Sequence, residues 1–242
     1  MTGAPSWASD APAPSADLIE RIRSVSSASI SGTLRKFNLN VAHCYPAGIH
    51  PIVGSGCIVG RAVTLRYVPS RDDLRARVGS PLASHRAIEA LQPGDVLVVD
   101  ALGSEAGGHL GDVMCTRIKL RGAAALVIDG AVRDLPYLGG LGLPIFAKSA
   151  TGPASPLLPI EYNVPIQCGG ALVVPGDLIV ADADGVCVLP IDLAAEVVKA
   201  TIEQEELEVF IRQKLEEGRL LQDVYPPTEQ VRREYEASRQ RA

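Results

Sequence analysis

Residues 93–134 read PGDVLVVDALGSEAGGHLGDVMCTRIKLRGAAALVIDGAVRD, and this stretch decides the architecture. VLVVDA (96–101) is a short apolar run, which reads as a strand buried on both faces. Glycines punctuate 103–111, and DVMCTRIKLRG then reads as a helix ending at Gly122. AALVIDGA (124–131) is a second buried strand. Strand, helix and strand in that order predict α/β layering with parallel pairing, because a crossover helix lets the second strand run in the direction of the first.

Working outward, IVGSGCIVGRAVTLRYV (52–68) carries β-branched residues interrupted by glycine, which is strand chemistry with tight turns or bulges. SHRAIEAL (84–91) is helical and is stopped by Pro93-Gly94, LPIFAKS (143–149) is a further strand, and 164–174 with 178–189 form a β-rich second half. At the N-terminal side, the amphipathic LIERIRSV begins at Leu18 with Ser15 or Asp17 placed to cap it, and ISGTLRKF (30–37) reads as a second short helix. Residues 192–217 read as a long helix with charge on one face. Pro-Gly-Asp occurs at 93–95 and at 175–177, each time before an apolar strand, and reads as a recurring turn rather than as internal symmetry. The organisation expected is a loose tail rich in Ala, Pro and Ser (1–15), one domain (16–222) and a polar, helical C-terminal tail (223–242) in a subunit contact.

Composition narrows the classes. The chain has 242 residues, 47% of them hydrophobic and 21% charged, which suits a globular protein and is too apolar for disorder. A net charge of −5 argues against a nucleic-acid or anionic-membrane surface. Five cysteines without CxxC spacing oppose a disulfide framework and a zinc site and suit a reducing cytoplasm. There is no apolar run long enough for a membrane span, and the N-terminus lacks the pattern of a signal peptide.

Chemistry gathers at two places. Gly107-Gly108-His109-Leu110-Gly111-Asp112 lies between a strand and a helix, where backbone N–H groups and a helix N-terminus form an anion-binding arrangement, although neither a dinucleotide nor a P-loop fingerprint is matched. The strand 124–131 leads into Arg133-Asp134 at its carboxyl end, where open α/β sheets place ligands. Arginine offers a planar fork to a carboxylate, and aspartate a hard oxygen to Mg2+ or Mn2+. The plainer readings are a tight connection and a surface ion pair.

Asp112, twenty residues, then Arg133-Asp134 is the D-x20-R-D pattern of the RraA-like proteins, and GSGCIVGRAVTL, PGDVLVVDA, GLPIFAK and VPIQCGGALVVPGDLIVADADGVCVLP resemble segments of that family in the same order. The family includes class II 4-hydroxy-4-methyl-2-oxoglutarate (HMG) aldolases and RraA regulators of ribonuclease E. The resemblance covers about residues 25–220. It implies an α/β subunit of the swivelling β/β/α type with flanking N- and C-terminal helices, assembled into trimers or dimers of trimers with active sites at the interfaces. It further implies that Arg133 holds the carboxylate and keto oxygen of a pyruvyl unit and that Asp134 holds a divalent metal, directly or through its waters. The backbone around Gly111, Asp112, Val113 and Met114 would cradle the carboxylate, and Asp112 would position a catalytic water. The activity implied is a metal-dependent lyase cleaving a C–C bond of a short 2-oxo di- or tricarboxylate, as an HMG-type aldolase or an oxaloacetate decarboxylase, through a metal- and arginine-stabilised pyruvate enolate. The alternative is a non-catalytic regulator that binds a ribonuclease E-type partner.

One departure bears on the reaction. Family aldolases tend to carry Asp or Glu within a few residues after the Arg-Asp pair, whereas here no acid occurs between Asp134 and Glu161. Decarboxylation needs only an electron sink and tolerates this loss better than aldol cleavage, which also needs a base. Glu205, Glu206 and Glu208 lie where a neighbouring subunit's acid would reach in, or else form a solvated helix face. His109 either touches substrate or is structural, and Glu105 lines the same cleft. Cys115 is either a helix-terminal thiolate or a small packed side chain. His43, His50 and His85 have no ligand-spaced partner, and Lys119 and Lys148 have no role as Schiff-base formers.

Overall fold

The computed structural model describes residues 14–40, 44–54, 56–75 and 77–240, so nearly all of the expected tail 1–15 and His43 lie outside the described residues. Ser15 proves to be the first cap, its hydroxyl accepting from Leu18 N–H at 3.2 Å, and α1 spans Ala16–Arg23. The second helix, α2 (Ser27–Leu34), starts three residues earlier than expected because Ser26 caps it by accepting from Ser29 N–H. Its expected end is a separate 3-10 turn, Arg35–Phe37, closed by Asn38 in the left-handed region.

β1 (His50–Val53) leads into β2 (Ile58–Pro69), which is long enough to serve three partners. The short α3 (Asp72–Arg75) and α4 (Ala83–Ala90) follow. Next come β3 (Val96–Gly108), α5 (Asp112–Leu120), β4 (Ala125–Val132), the one-turn α6 (Leu135–Leu138) and β5 (Ile145–Ala150). β2, β3, β4 and β5 pair in parallel in that spatial order, as the crossover pattern requires. β1 closes one edge antiparallel to β5. β6 (Leu157–Tyr162) pairs antiparallel with the far end of β2, while β9 (Leu178–Asp182) pairs with its near end and then with β10 (Gly185–Leu189). β7 (Ile166–Cys168) and β8 (Ala171–Val173) form a separate hairpin.

The parallel strands are buried on both faces, and the alternation divides their side chains between two cores. Leu97, Val99, Leu126 and Ile128 face α4 and α5, where Ala87, Cys115 and Ile118 are buried against them. Val96, Val98, Val127 and Phe146 face the β7–β8 hairpin and β9–β10. Each of these fully buried side chains contributes on the order of 2 kcal/mol of apolar burial. α1 and α2 pack with α7 (Ala194–Glu216) over β9 and β10. The C-terminal tail folds onto its own chain: α8 (Leu221–Val224) and α9 (Glu229–Arg239) bury Val224 and Val231 against Phe210 and Ile211 of α7.

Both Pro-Gly-Asp segments are the same turn. In each, glycine takes a positive φ (Gly94, 89°; Gly176, 96°), and the aspartate carboxylate accepts from the backbone N–H three residues before it, at 2.9 Å for Asp95 and 2.8 Å for Asp177. Asp95 also meets Arg61 at 3.4 Å, whereas burial and the nearby Asp192 push the Asp177 carboxyl up to about 6. None of the five cysteines is paired with another, and no helix among the described residues is long and apolar enough to cross a membrane.

The glycine-rich segment departs from its expected form. β3 does not end at Ala101 but continues to Gly108 beside β4, with register breaks between Asp100 and Ser104 and between Ser104 and Gly108. Leu102 (φ 57°) and Gly103 (φ 68°) take left-handed conformations at the first break. Three residues bulge out at each break while β4 advances by one position, so the strand arrives at the site twisted away from a straight ladder.

Candidate active site

α5 begins just after the carboxyl end of β3, runs back beside the sheet, and β4 returns to the same end. This crossover brings Asp112, the first residue of α5, next to Arg133 and Asp134, which follow β4 directly. A cavity of about 280 Å3 opens there. All six expected residues line it: Gly111, Asp112, Val113, Met114, Arg133 and Asp134.

Asp134 holds a left-handed conformation (φ 60°, ψ 35°) at the N-cap position of α6, a region that Asp tolerates better than most residues. The turn folds its carboxylate back, so that Oδ2 accepts from Arg133 Nε at 3.0 Å and from Asp112 N–H at 3.3 Å. The Arg133 guanidinium, followed by the Asp112 N–H, holds the Asp134 carboxyl below the usual carboxylate range, so it is ionised at neutral pH. Both side chains remain open to solvent, Arg133 at 40% and Asp134 at 27%.

The glycines are explained by close approach. A Cβ on Gly111 would collide with Asp134 Oδ2 and lie 3.1 Å from Arg133 Cγ, and one on Gly108 would lie 2.5 Å from Arg133 Cβ. The glycine-rich segment thus lets backbone pass directly against the Arg-Asp pair. Of the α5 N-terminal donors, Asp112 N–H points at Asp134, and Val113 N–H donates to Asp112 Oδ1 at 2.7 Å. The Asp112 carboxylate therefore turns back onto the first turn of its own helix, whose N-cap is Gly111.

Sequence reasoning missed Ala154 and Ser155, which complete the wall of the cavity. They lie in the irregular stretch between β5 and β6 and reach the site through a bridge between Ala154 and Gly108. Ser155 meets His109, which lines the cavity although it is only 7% exposed. His109 Nε2 lies 3.1 Å from Ser104 O and Nδ1 lies 2.6 Å from Ser155 Oγ. A carbonyl only accepts, so Nε2 carries the hydrogen and Nδ1 accepts from the serine hydroxyl. Burial lowers the His109 pKa and favours this neutral ring.

The remaining candidates lie elsewhere. Glu105 is exposed and does not line the cavity, against expectation, because it sits in the second bulge of β3. Cys115 is fully buried and its thiol is pushed up to about 12, so the small packed side chain is the form observed. Lys119 donates to Gly142 O, and Lys148 pairs with Asp129 at 3.0 Å. Glu205, Glu206 and Glu208 accept from Ser26, Tyr235 and Gln204 of the same chain. His50 and His85 are exposed, and no cluster of three or more His, Cys, Asp or Glu able to hold a metal occurs among the described residues.

Comparison with known proteins identifies the family. The RraA-like family profile, described as Aldolase/RraA, matches residues 16–188. A Halalkalibacterium halodurans protein named "Putative 4-hydroxy-4-methyl-2-oxoglutarate aldolase" is 40% identical over 143 residues, which is 59% of this chain and 64% of that protein. The chain thus spans just under two thirds of that relative's length. A Thermus thermophilus protein of the same name is 36% identical over 138 residues, covering 57% of this chain and 78% of the relative. The solved structure of Streptomyces coelicolor RraAS2, described as an unusual member of the RNase ES inhibitor RraA protein family, has a TM-score of 0.75 at 36% identity and covers 84% of this chain and 98% of its own. With the family profile running from α1 to β10 and the expected α/β fold in place around Asp112, Arg133 and Asp134, the chain belongs to the RraA-like family.

Proposed function

We propose that this protein is a carbon–carbon lyase that releases pyruvate from a short 2-oxo di- or tricarboxylate, with a divalent metal, Mg2+ or Mn2+, at Asp134. The observation that carries the reading is the convergence of a guanidinium, an ionised carboxylate and a helix N-terminus on one small cavity. The donor set suits a hard, largely hydrated cation. Mg2+ retains several waters and takes one or two carboxylates together with substrate oxygens, so it needs no closed cage of side chains. The missing Cβ at Gly111 supports the fit, because it leaves the Asp134 carboxylate uncrowded. When bound, such an ion supplies Lewis acidity at the keto oxygen of the substrate.

The chain's own residues account for the remaining steps. Arg133 offers its planar fork to the pyruvyl carboxylate and keto oxygen, and its fixed charge stabilises the enolate left when the C–C bond breaks. The N-terminal dipole of α5 favours the substrate carboxylate, which competes with Asp134 for the Asp112 N–H. Asp112 holds a water near the reacting carbons. Because α6 supplies only Leu135, Pro136, Tyr137 and Leu138 where family aldolases carry an acid, oxaloacetate-type decarboxylation is the favoured reaction. The alternative, a regulator that binds a ribonuclease E-type partner without catalysis, leaves the Arg-Asp pair in the cavity without a chemical role.

The site is proposed to lie at the interface of a homotrimer or dimer of trimers. Val113 (77% exposed) and Tyr137 (72% exposed) stand as open apolar surface beside Asp112 and Asp134, as a face covered by a second subunit would. The test is pyruvate release from oxaloacetate and from 4-hydroxy-4-methyl-2-oxoglutarate, with Mg2+ or Mn2+ and with EDTA. Metal-dependent release that Arg133→Ala abolishes is expected; release unaffected by EDTA or by that substitution would overturn the reading.

A further inference from the structure

The Ser155–His109 pair lines the cavity and keeps bonding capacity free for a ligand. The Ser155 hydroxyl hydrogen is committed to His109 Nδ1, and one oxygen lone pair accepts from Leu157 N–H at 3.0 Å. A hydroxyl oxygen has two lone pairs, so one is left for a group in the cavity that Ser155 lines. His109 is held from three sides: by Ser104 O at Nε2, by the Tyr67 ring edge-on at 5.4 Å, and by the closely packed Gly130. Gly107 and Gly108, which precede His109, tie this pair to the Arg133 side of the cavity. Gly108 N–H donates to Pro153 O at 2.8 Å, Ser155 N–H donates to Gly108 O at 3.1 Å, and Gly108 packs directly on Arg133. A neutral imidazole accepting from a serine hydroxyl beside an enolate-stabilising arginine is the arrangement of an acid–base relay. It stands in a site whose sequence offers no carboxylate from 135 to 160.

We propose that Ser155 is the catalytic acid–base residue of this site, with His109 as the store of its proton. The proposal rests on the lyase reading above. In an aldol cleavage, the substrate hydroxyl gives its proton to Ser155 Oγ as the Ser155 proton passes to His109 Nδ1. The C–C bond breaks, its electron pair moves onto the pyruvyl unit as the enolate, and the carbinol carbon becomes a carbonyl. Ser155 then gives the proton it took from the substrate to the enolate carbon as His109 returns the serine proton, giving pyruvate and a neutral imidazole. In a decarboxylation the departing group is CO2, and protonation of the enolate from a His109 that has taken a proton from solvent is the relay's only step. Ser104 O steadies the transient imidazolium through Nε2–H.

The reverse of the last step supplies the test: pyruvate in D2O with the intact protein and Mg2+ should exchange its methyl protons, followed by proton NMR. Ser155→Ala should slow exchange by about 10²-fold or more, and Ser155→Thr, which keeps the hydroxyl, should recover most of the rate. His109→Asn places an amide oxygen near the Nδ1 position, so it still orients Ser155 but takes no proton, and it should lose exchange as Ser155→Ala does. Nitrogen-15 spectra of ring-labelled histidine, which do not depend on turnover, should report His109 protonated at Nε2 alone. Exchange at the wild-type rate in Ser155→Ala or in His109→Asn overturns the relay. So does a wild-type protein that releases pyruvate from oxaloacetate yet exchanges no methyl proton. A wild-type protein that neither releases pyruvate nor exchanges overturns the lyase reading itself, and the relay with it.

Discussion

Replacing Gly111 by alanine isolates the close approach on which the site depends. Gly111 sits at φ −121° and ψ −167°, an extended conformation open to any residue, so the substitution carries no backbone penalty. The effect is steric alone. The new Cβ would overlap Asp134 Oδ2 and stand 3.1 Å from Arg133 Cγ and 3.2 Å from Arg133 Nε. Relief to ordinary van der Waals separation requires the carboxylate to withdraw by about 1 Å. That motion breaks the 3.0 Å contact to Arg133 and the 3.3 Å contact to the Asp112 N–H together. A misplacement of about 1 Å in a positioned constellation costs on the order of 10²-fold in rate, or about 2.7 kcal/mol of transition-state stabilisation. Stability should change by less than about 1 kcal/mol, because the groups that move are the ends of partly exposed side chains. The assay is pyruvate release from oxaloacetate, read through a coupled dehydrogenase as kcat/KM. Gly152→Ala is the control, since a Cβ there meets nothing within 4 Å and kcat/KM should stay within about twofold of wild type. A Gly111→Ala protein that keeps a third or more of wild-type kcat/KM would refute the argument that glycine is there for the Arg-Asp pair.

Arg133→Lys keeps the charge but loses the planar fork, and kcat/KM for oxaloacetate should fall about 10²-fold; a fall of less than threefold would show that charge alone suffices. Asp177, with its carboxyl pushed up to about 6 from an ordinary value of 3.8, favours the protonated form in the folded chain, so its stabilising contribution is complete below about pH 4 and is lost as pH rises through 6. Asp177→Asn keeps an oxygen for Val174 N–H and should therefore be more stable than wild type at pH 7.5, by about 1–2 kcal/mol, with the advantage vanishing near pH 4; equal unfolding midpoints at both pH values would refute it. Val231 is fully buried between α9 and α7, and Val231→Ala should cost about 1–3 kcal/mol and raise hydrogen exchange in α9 before the sheet; unchanged exchange there would place α9 outside the cooperative core.

The parts of the fold that were legible are those in which one physical signal dominates. Strands buried on both faces need unbroken apolar runs, and VLVVDA and AALVIDGA have no other reading once a helix lies between them. The glycine-rich continuation of β3 was not legible, because glycine marks a loop and a bulged strand with the same letters. Only the pairing of Ser104 with Gly130 and of Gly108 with Ala131 distinguishes them. The start of α2 was hidden among Ser24, Ser26, Ser27 and Ser29, any of which is an acceptable cap, until Ser26 is seen to hold Ser29 N–H.

The same distinction explains which site residues could be found. The twenty-residue spacing between Asp112 and Arg133 has an architectural origin: α5 takes nine residues back along the sheet, a tight turn at Gly122 reverses the chain, and β4 takes eight residues forward to the same end. In this chain the helix and the strand with the turn between them use up that spacing, so the two ends meet at the same edge of the sheet. Ser155 has no such link. It lies 46 residues from His109 and joins it through the Gly108–Ala154 bridge between segments that local patterning leaves as turns. A residue that enters a site by tertiary pairing leaves no period in the sequence. The legible half of this cavity is therefore the half built on one crossover unit, which supplies the charge. Of the two residues in the proposed relay, His109 sits in the legible glycine-rich segment, and Ser155 is the partner that only tertiary pairing supplies.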